Sequence, residues 1–312
     1  MRFCRPSSVR EFQRAFRAAT VAAAVAWLPT GALATLDGAG QASDPEMFLI
    51  IWDQTREASY TLDLGIRVST LLDATAGGQA DGGFQRFWAL DPASDPNVAS
   101  FLSGSSAVST LQWGVMATDI DGFTFVPGDQ WVYMTLQHTT PTGTVNPNYA
   151  ALTNFTNERF ETARNQIERY VTWVVGNPGP NNQISAADPT NYSLNGSAFG
   201  LKGQISYIAD EIDGGIQMLG GLDGVPVLNT IGRSSWAYML TTSGLGEFDG
   251  LVTLDEFDNL EHDAYWGLAQ DPDSGILYLS YTLDAVGLTA AQREFALRSE
   301  ERRVGKECRS RW

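Results

Sequence analysis

Glu46–Asp53, EMFLIIWD, sets six apolar residues in an unbroken row between two acids. A run of this length is too short for most helices, and it lacks the alternation of a strand with one wet face. It reads as a strand buried on both sides. Asp53–Glu57 (DQTRE) follows as a turn, and Ala58–Leu64 (ASYTLDL) alternates as the hairpin partner. The same reading extends along the chain. Phe84–Leu90 (FQRFWAL), Thr110–Ala117 (TLQWGVMA), Gln130–Leu136 (QWVYMTL), Lys202–Asp210 and Ser235–Thr242 (SWAYMLTT) are expected strands. Tyr265–Gln270 and Ile276–Leu283 form a closing hairpin around the turn Asp271-Pro272-Asp273-Ser274-Gly275.

Two segments depart from this pattern. Asp95-Pro96 can open a short helix through Phe101. Phe160, Ala163, Ile167, Tyr170, Val171 and Val174 recur at three- and four-residue steps, predicting one long amphipathic helix over about 156–175. Asn154 or Thr156 can cap its start, and Gly176 with Pro178 ends it. Its arginines Arg159, Arg164 and Arg169 alternate with Glu158, Glu161 and Glu168, as on a solvated, salt-bridged face. Residues 177–200 are dense in Asn, Pro, Gly and Ser and read as a loop or linker. The fold class is therefore mainly β, a β-sandwich-like domain with the long helix as an insertion.

Both ends differ from the domain between them. Five arginines precede the apolar run Ala18–Leu28, and Pro29 and Gly31 break it. Ala32 and Ala34 then supply a small-x-small cleavage pattern, so residues 1–34 read as a signal peptide with Thr35 as the mature start. Residues 298–312, RSEERRVGKECRSRW, resemble the translation of a widely used sequencing adapter and are expected to be non-native. Six of the chain's 20 basic residues fall in that tail, after a stretch from 234 to 292 with none. The single extracellular domain is thus expected at 35–297.

That domain carries 9 basic and 32 acidic residues, a net charge of −23, against −16 for the whole chain. Such acidity disfavours nucleic acid and anionic membranes as partners. Both cysteines, Cys4 and Cys308, lie outside it, which removes disulfides, thiol chemistry and cysteine-based zinc sites from its repertoire. Its histidines, His138 and His262, stand in unrelated contexts, and neither HExxH, GxSxG, a P-loop nor GxGxxG occurs. No catalytic or cofactor-binding residue is singled out.

A metal is the one ligand with a local signal. In Glu247–Phe257 (EFDGLVTLDEF), Asp249, Gly250, Val252 and Glu256 match the second half of an EF-hand loop. Leu245 occupies the place of the first Asp, and the flanks read as strands, so an acidic turn is the preferred reading. Asp249 and Glu256 are carried as candidate ligands for a structural Ca²⁺. The acidic turns at 119–122 and 210–214 are of the same kind. Among seven tryptophans of the domain, six sit in apolar runs as core residues. Trp266, beside a loop, is the candidate for an exposed sugar-stacking platform.

The segments MFLIIWDQTREASYTLDLGI (47–66), FWALDPASDPNVASFL (87–102), LQWGVMATD (111–119) and YWGLAQDPDSGILYLSYT (265–282) together resemble a group of exported bacterial proteins that end in a PEP-CTERM-type sorting tail. The resemblance implies export in a Gram-negative-type bacterium and exosortase sorting to the cell surface or matrix. It implies no enzymatic activity, and extracellular polysaccharide or matrix as partner. No Val-Pro-Glu-Pro motif, apolar span or basic end of that kind is present, so the sorting signal is expected beyond Leu297. The alternative is a secreted carbohydrate-binding module or carbohydrate-active enzyme.

Overall fold

A computed structural model describes residues 45–72, 85–118, 130–137, 147–171, 196–204, 206–208, 226–244, 248–256 and 264–283. All belong to one compact unit, Ala34–Trp312. Residues 1–34, expected as a signal peptide, residues 298–312, both histidines, Trp173 and the acidic turns expected at 119–122 and 210–214 lie outside them.

The first strands follow the sequence closely. β1 (Glu46–Asp53) and β2 (Ala58–Arg67) form the expected hairpin. Asp53 closes it by accepting from the amides of Thr55 and Arg56 at 3.1 and 3.0 Å. A short helix α1 (Val68–Leu72), β3 (Gln85–Leu90) and helix α2 (Pro96–Ser103) follow. Then come β4 (Gln112–Thr118), β5 (Trp131–Thr135), helix α3 (Pro147–Leu152) and the long helix α4 (Asn157–Tyr170). The second half contains β6 (Ser197–Leu201), β7 (Asn229–Thr230), β8 (Ser234–Ser235), β9 (Ala237–Thr241), β10 (Thr253–Glu256), β11 (Ala264–Gln270) and β12 (Leu277–Leu283).

Two antiparallel sheets result. The larger runs β10-β9-β5-β4-β1-β2-β6, with β7 also on β4; the smaller runs β3-β12-β11-β8. Met47, Leu49 and Ile51 of β1 share a core with Trp266, Leu268, Leu277 and Leu279 of the small sheet. Phe48, Ile50 and Trp52 point the other way, into a core with Phe160, Ala163, Ile167 and Tyr170 of α4. Alternate residues of a strand face opposite sides, so β1 is apolar throughout because both sides are covered. The sandwich is thus three layers deep: small sheet, large sheet, helix. Helix α4, the expected helical insertion between β5 and β6, closes the far face of the large sheet.

Three expectations change. The strand expected at Lys202–Asp210 is not seen at 202–204, which turn, and 205, 209 and 210 lie outside the described residues. Instead Ser197–Leu201, whose first four residues fall in the expected linker, pairs with β2. Gly200 permits this, since a Cβ there would meet the Ser206 and Tyr207 backbone at 2.3 Å. Ser235–Thr242 splits at Trp236, because β8 pairs with β11 in the small sheet and β9 with β5 in the large one. Finally, Glu161 and Arg164 are buried, 8% and 2% exposed, and pair at 3.1 Å. The solvated face expected for α4 fails at these two positions. Among the described residues, no helix is long and apolar enough to cross a membrane.

Candidate functional site

The expected metal ligands fall on a turn and a strand. Asp249 is exposed in the turn 248–250. Glu256 ends β10, its backbone in register with Tyr238 of β9. The carbonyls of this turn face the first turn of α4: Gly250 accepts from the Asn157 amide at 2.8 Å and Phe248 from the Glu158 amide at 3.0 Å. Leu251, at the position whose carbonyl an EF-hand turns to calcium, instead accepts from the Ser243 hydroxyl. The turn thus satisfies amides that a helix start leaves without partners. Among the described residues, no three His, Cys, Asp or Glu converge as a metal group.

Trp266 overturns the stacking-platform expectation. It is fully buried between the sheets, stacked on Trp88 at 5.6 Å and against Tyr281 at 5.0 Å. Proximity to a loop in sequence does not set exposure on an inward-facing strand position. Trp113 is also fully buried, its indole donating to the Thr230 carbonyl at 3.1 Å.

The chemistry that remains lies in buried carboxylates; beside Glu161, paired with Arg164 on α4, there are three among the described residues, and two of these are fully engaged. Asp95 caps α2 through the amides of Asn97 and Val98. Its Oδ1 also accepts from Ser197 at 2.9 Å, and its Oδ2 from Tyr60 at 2.7 Å. Burial, then the Asp95 charge, drives the Tyr60 hydroxyl well above its ordinary pKa, so it stays a donor. Asp53 accepts from Ser106 through both its amide, at 2.7 Å, and its hydroxyl, at 3.0 Å. Burial alone would raise the Asp53 pKa. Hydrogen bonds from Ser106, Arg56 and Thr55 outweigh it and hold the carboxyl below its usual range.

Asp63 differs. Positions 59, 61 and 63 of β2 all face α4 and are all polar. Ser59 accepts from the Ile208 amide and donates to the Ser206 carbonyl. Thr61 bonds the Tyr170 hydroxyl of α4. Asp63 is 6% exposed, and its Oδ1 accepts from the Gly65 amide at 2.7 Å. Its Oδ2 is buried without a hydrogen-bond partner. The local geometry comes from a bulge: Phe48 faces Asp63 and Glu46 faces Arg67, so Met47 opposes three residues of β2. Gly65, with φ +60, makes the bend that a side chain would resist.

Electrostatics at this corner are mixed. Burial is the main force raising Asp63 to a pKa of about 6, against the Gly65 hydrogen bond; repulsion from Glu46 adds to the rise and Arg67 opposes it. Arg67 Nη2 lies 3.8 Å from Glu46 Oε1, and both side chains reach solvent in part. The corner offers oxygen donors of negative charge beside one cation, a set suited to a proton or a hard metal ion. The sequence held a signal for it. Asp63 is a carboxylate between two leucines in a buried strand, two residues before a glycine.

No known protein family, curated protein or solved structure matches the chain.

Proposed function

We propose that the protein is an exported, acidic, non-enzymatic domain of a bacterial cell surface or extracellular matrix, sorted there by a C-terminal signal. The observation that supports it most is the use made of Asp53 and Asp95. Both oxygens of each accept from amides and hydroxyls that fix a hairpin turn, a helix start and the loop at Ser106. Carboxylates fixed in this way stabilise loops and cannot also move protons to a substrate. The buried Trp113 and Trp266 fit a packed structural core and take two of the largest aromatic faces out of reach of a sugar. A high negative charge keeps such a domain soluble and hydrated in a matrix.

The test is fractionation of the source bacterium with an antibody to the domain, together with sequencing of the locus across Leu297. Recovery in the surface or matrix fraction, with a Pro-Glu-Pro motif, an apolar span and terminal arginines encoded, is the expected result. Retention in the cytoplasm, or turnover of a polysaccharide by the purified protein, overturns the reading.

A further inference from the structure

We propose that Glu46 and Asp63 form the anionic half of a calcium site at the β1–β2 bulge. Three observations meet there. The polar stripe of β2 that faces α4 is satisfied at Ser59 and Thr61, whereas Asp63 Oδ2, on a side chain more than nine-tenths buried, has no hydrogen-bond partner. A second carboxylate, Glu46, is close enough to act on Asp63 electrostatically. It sits diagonally across the paired strands, a spacing of roughly 7–8 Å between backbones that side chains readily bridge. Third, the corner opens to solvent at Glu46 and Arg67, which gives an ion an entry path.

Calcium suits these donors better than its competitors. It accepts six to eight oxygens in flexible geometry at about 2.3–2.6 Å, and waters can complete a shell begun by two carboxylates. Magnesium demands a tighter octahedron and sheds its waters reluctantly. Zinc prefers nitrogen and sulfur ligands, which neither Glu46 nor Asp63 offers. Arg67 is the resident competitor. Its guanidinium lies 3.8 Å from Glu46 Oε1 on a side chain that is 35% exposed, so its charge competes with an arriving ion at the rim of the site. Calcium would neutralise two carboxylates and supply the bond that Oδ2 lacks. This site is distinct from the turn at Asp249, and it stands or falls separately from secretion.

The experiment is thermal unfolding of the purified protein at pH 7.5 in EGTA and in rising CaCl₂, for wild type, D63N, E46Q and R67Q. Wild type is expected to gain roughly 5 °C in Tm at a hundredfold excess over Kd. D63N should lose the calcium response while melting higher than wild type in EGTA, which shows that it folds. E46Q should weaken the response. R67Q should bind calcium more tightly, since it removes the competing cation. A calcium shift that persists unchanged in D63N places the ion elsewhere and overturns the assignment. No shift in either wild type or R67Q leaves the proton as the only occupant and overturns it as well.

Discussion

The Trp266 indole of the small sheet donates to the Tyr133 hydroxyl of the large sheet at 2.6 Å, inside the core that the two share. Together with the Trp88 indole, which donates to the Leu64 carbonyl at 2.9 Å, the bond helps to fix the relative register of the two layers. Replacing Tyr133 by Phe keeps the ring but leaves a buried N–H without its acceptor. Such a loss costs about 1–3 kcal/mol, and Trp266→Ala, which opens a large cavity, costs about 3–5 kcal/mol. Urea unfolding followed by far-ultraviolet circular dichroism measures both. A neutral Y133F would mean that the indole finds another acceptor.

Asp63 predicts an unusual dependence on pH. Its folded pKa, about 6, lies above its ordinary value of 3.8. The stability it contributes is therefore fully present below 3.8 and is lost as pH rises through 6. Without calcium, D63N should be more stable than wild type at pH 7.5, by at most about 3 kcal/mol. The two should converge below pH 4. Denaturant midpoints at pH 4, 6 and 7.5 test the sign; equal midpoints at all three would mean that Oδ2 is hydrated.

Tyr60 and Asp95 should behave as one unit. Asp95→Ala removes a helix cap, at about 1–2 kcal/mol, and takes from the Tyr60 hydroxyl its carboxylate acceptor. Tyr60→Phe alone should cost less, because Asp95 keeps Asn97 and Ser197. A double-mutant cycle should give a coupling of about 0.5–3 kcal/mol. Strict additivity would separate the two roles.

Glu161 and Arg164 form a buried ion pair on α4. Glu161 Oε2 is already buried without a partner. Arg164→Met leaves the carboxylate uncompensated and should destabilise by about 3–5 kcal/mol. The double replacement R164M/E161L should recover most of that, since an apolar pair incurs no charge burial. Unfolding midpoints of the three proteins decide it; a double variant as weak as the single one would show that the pair holds further contacts in place.

The strands were legible wherever hydrophobic pattern alone decides them. Glu46–Asp53 announced two covered faces by lacking alternation, and Asp95-Pro96 announced a helix start by its cap chemistry. Pattern failed where partners lie far along the chain. Ser197–Leu201 is a strand because β2 offers an edge some 140 residues earlier, and nothing in its Asn- and Gly-rich surroundings says so. Arg164 looked like a surface cation because helical spacing cannot show what packs on a helix's second face. Asp63 is hard to read from sequence for a related reason. A carboxylate in a strand becomes informative only once its face is known to be buried and its neighbours on that face are known to be satisfied.

Trp236 stands between two residues of the small sheet's edge and five of the large sheet's interior. The crossing is pinned by Ser235, whose hydroxyl donates to the Leu136 carbonyl at 2.8 Å and accepts from the Leu136 amide at 3.2 Å. A chain that changes layers within one residue cannot let the layers peel apart one at a time. Tension applied to either sheet is carried through that single peptide link into the other. The two sheets must therefore yield together, as one mechanical element under load.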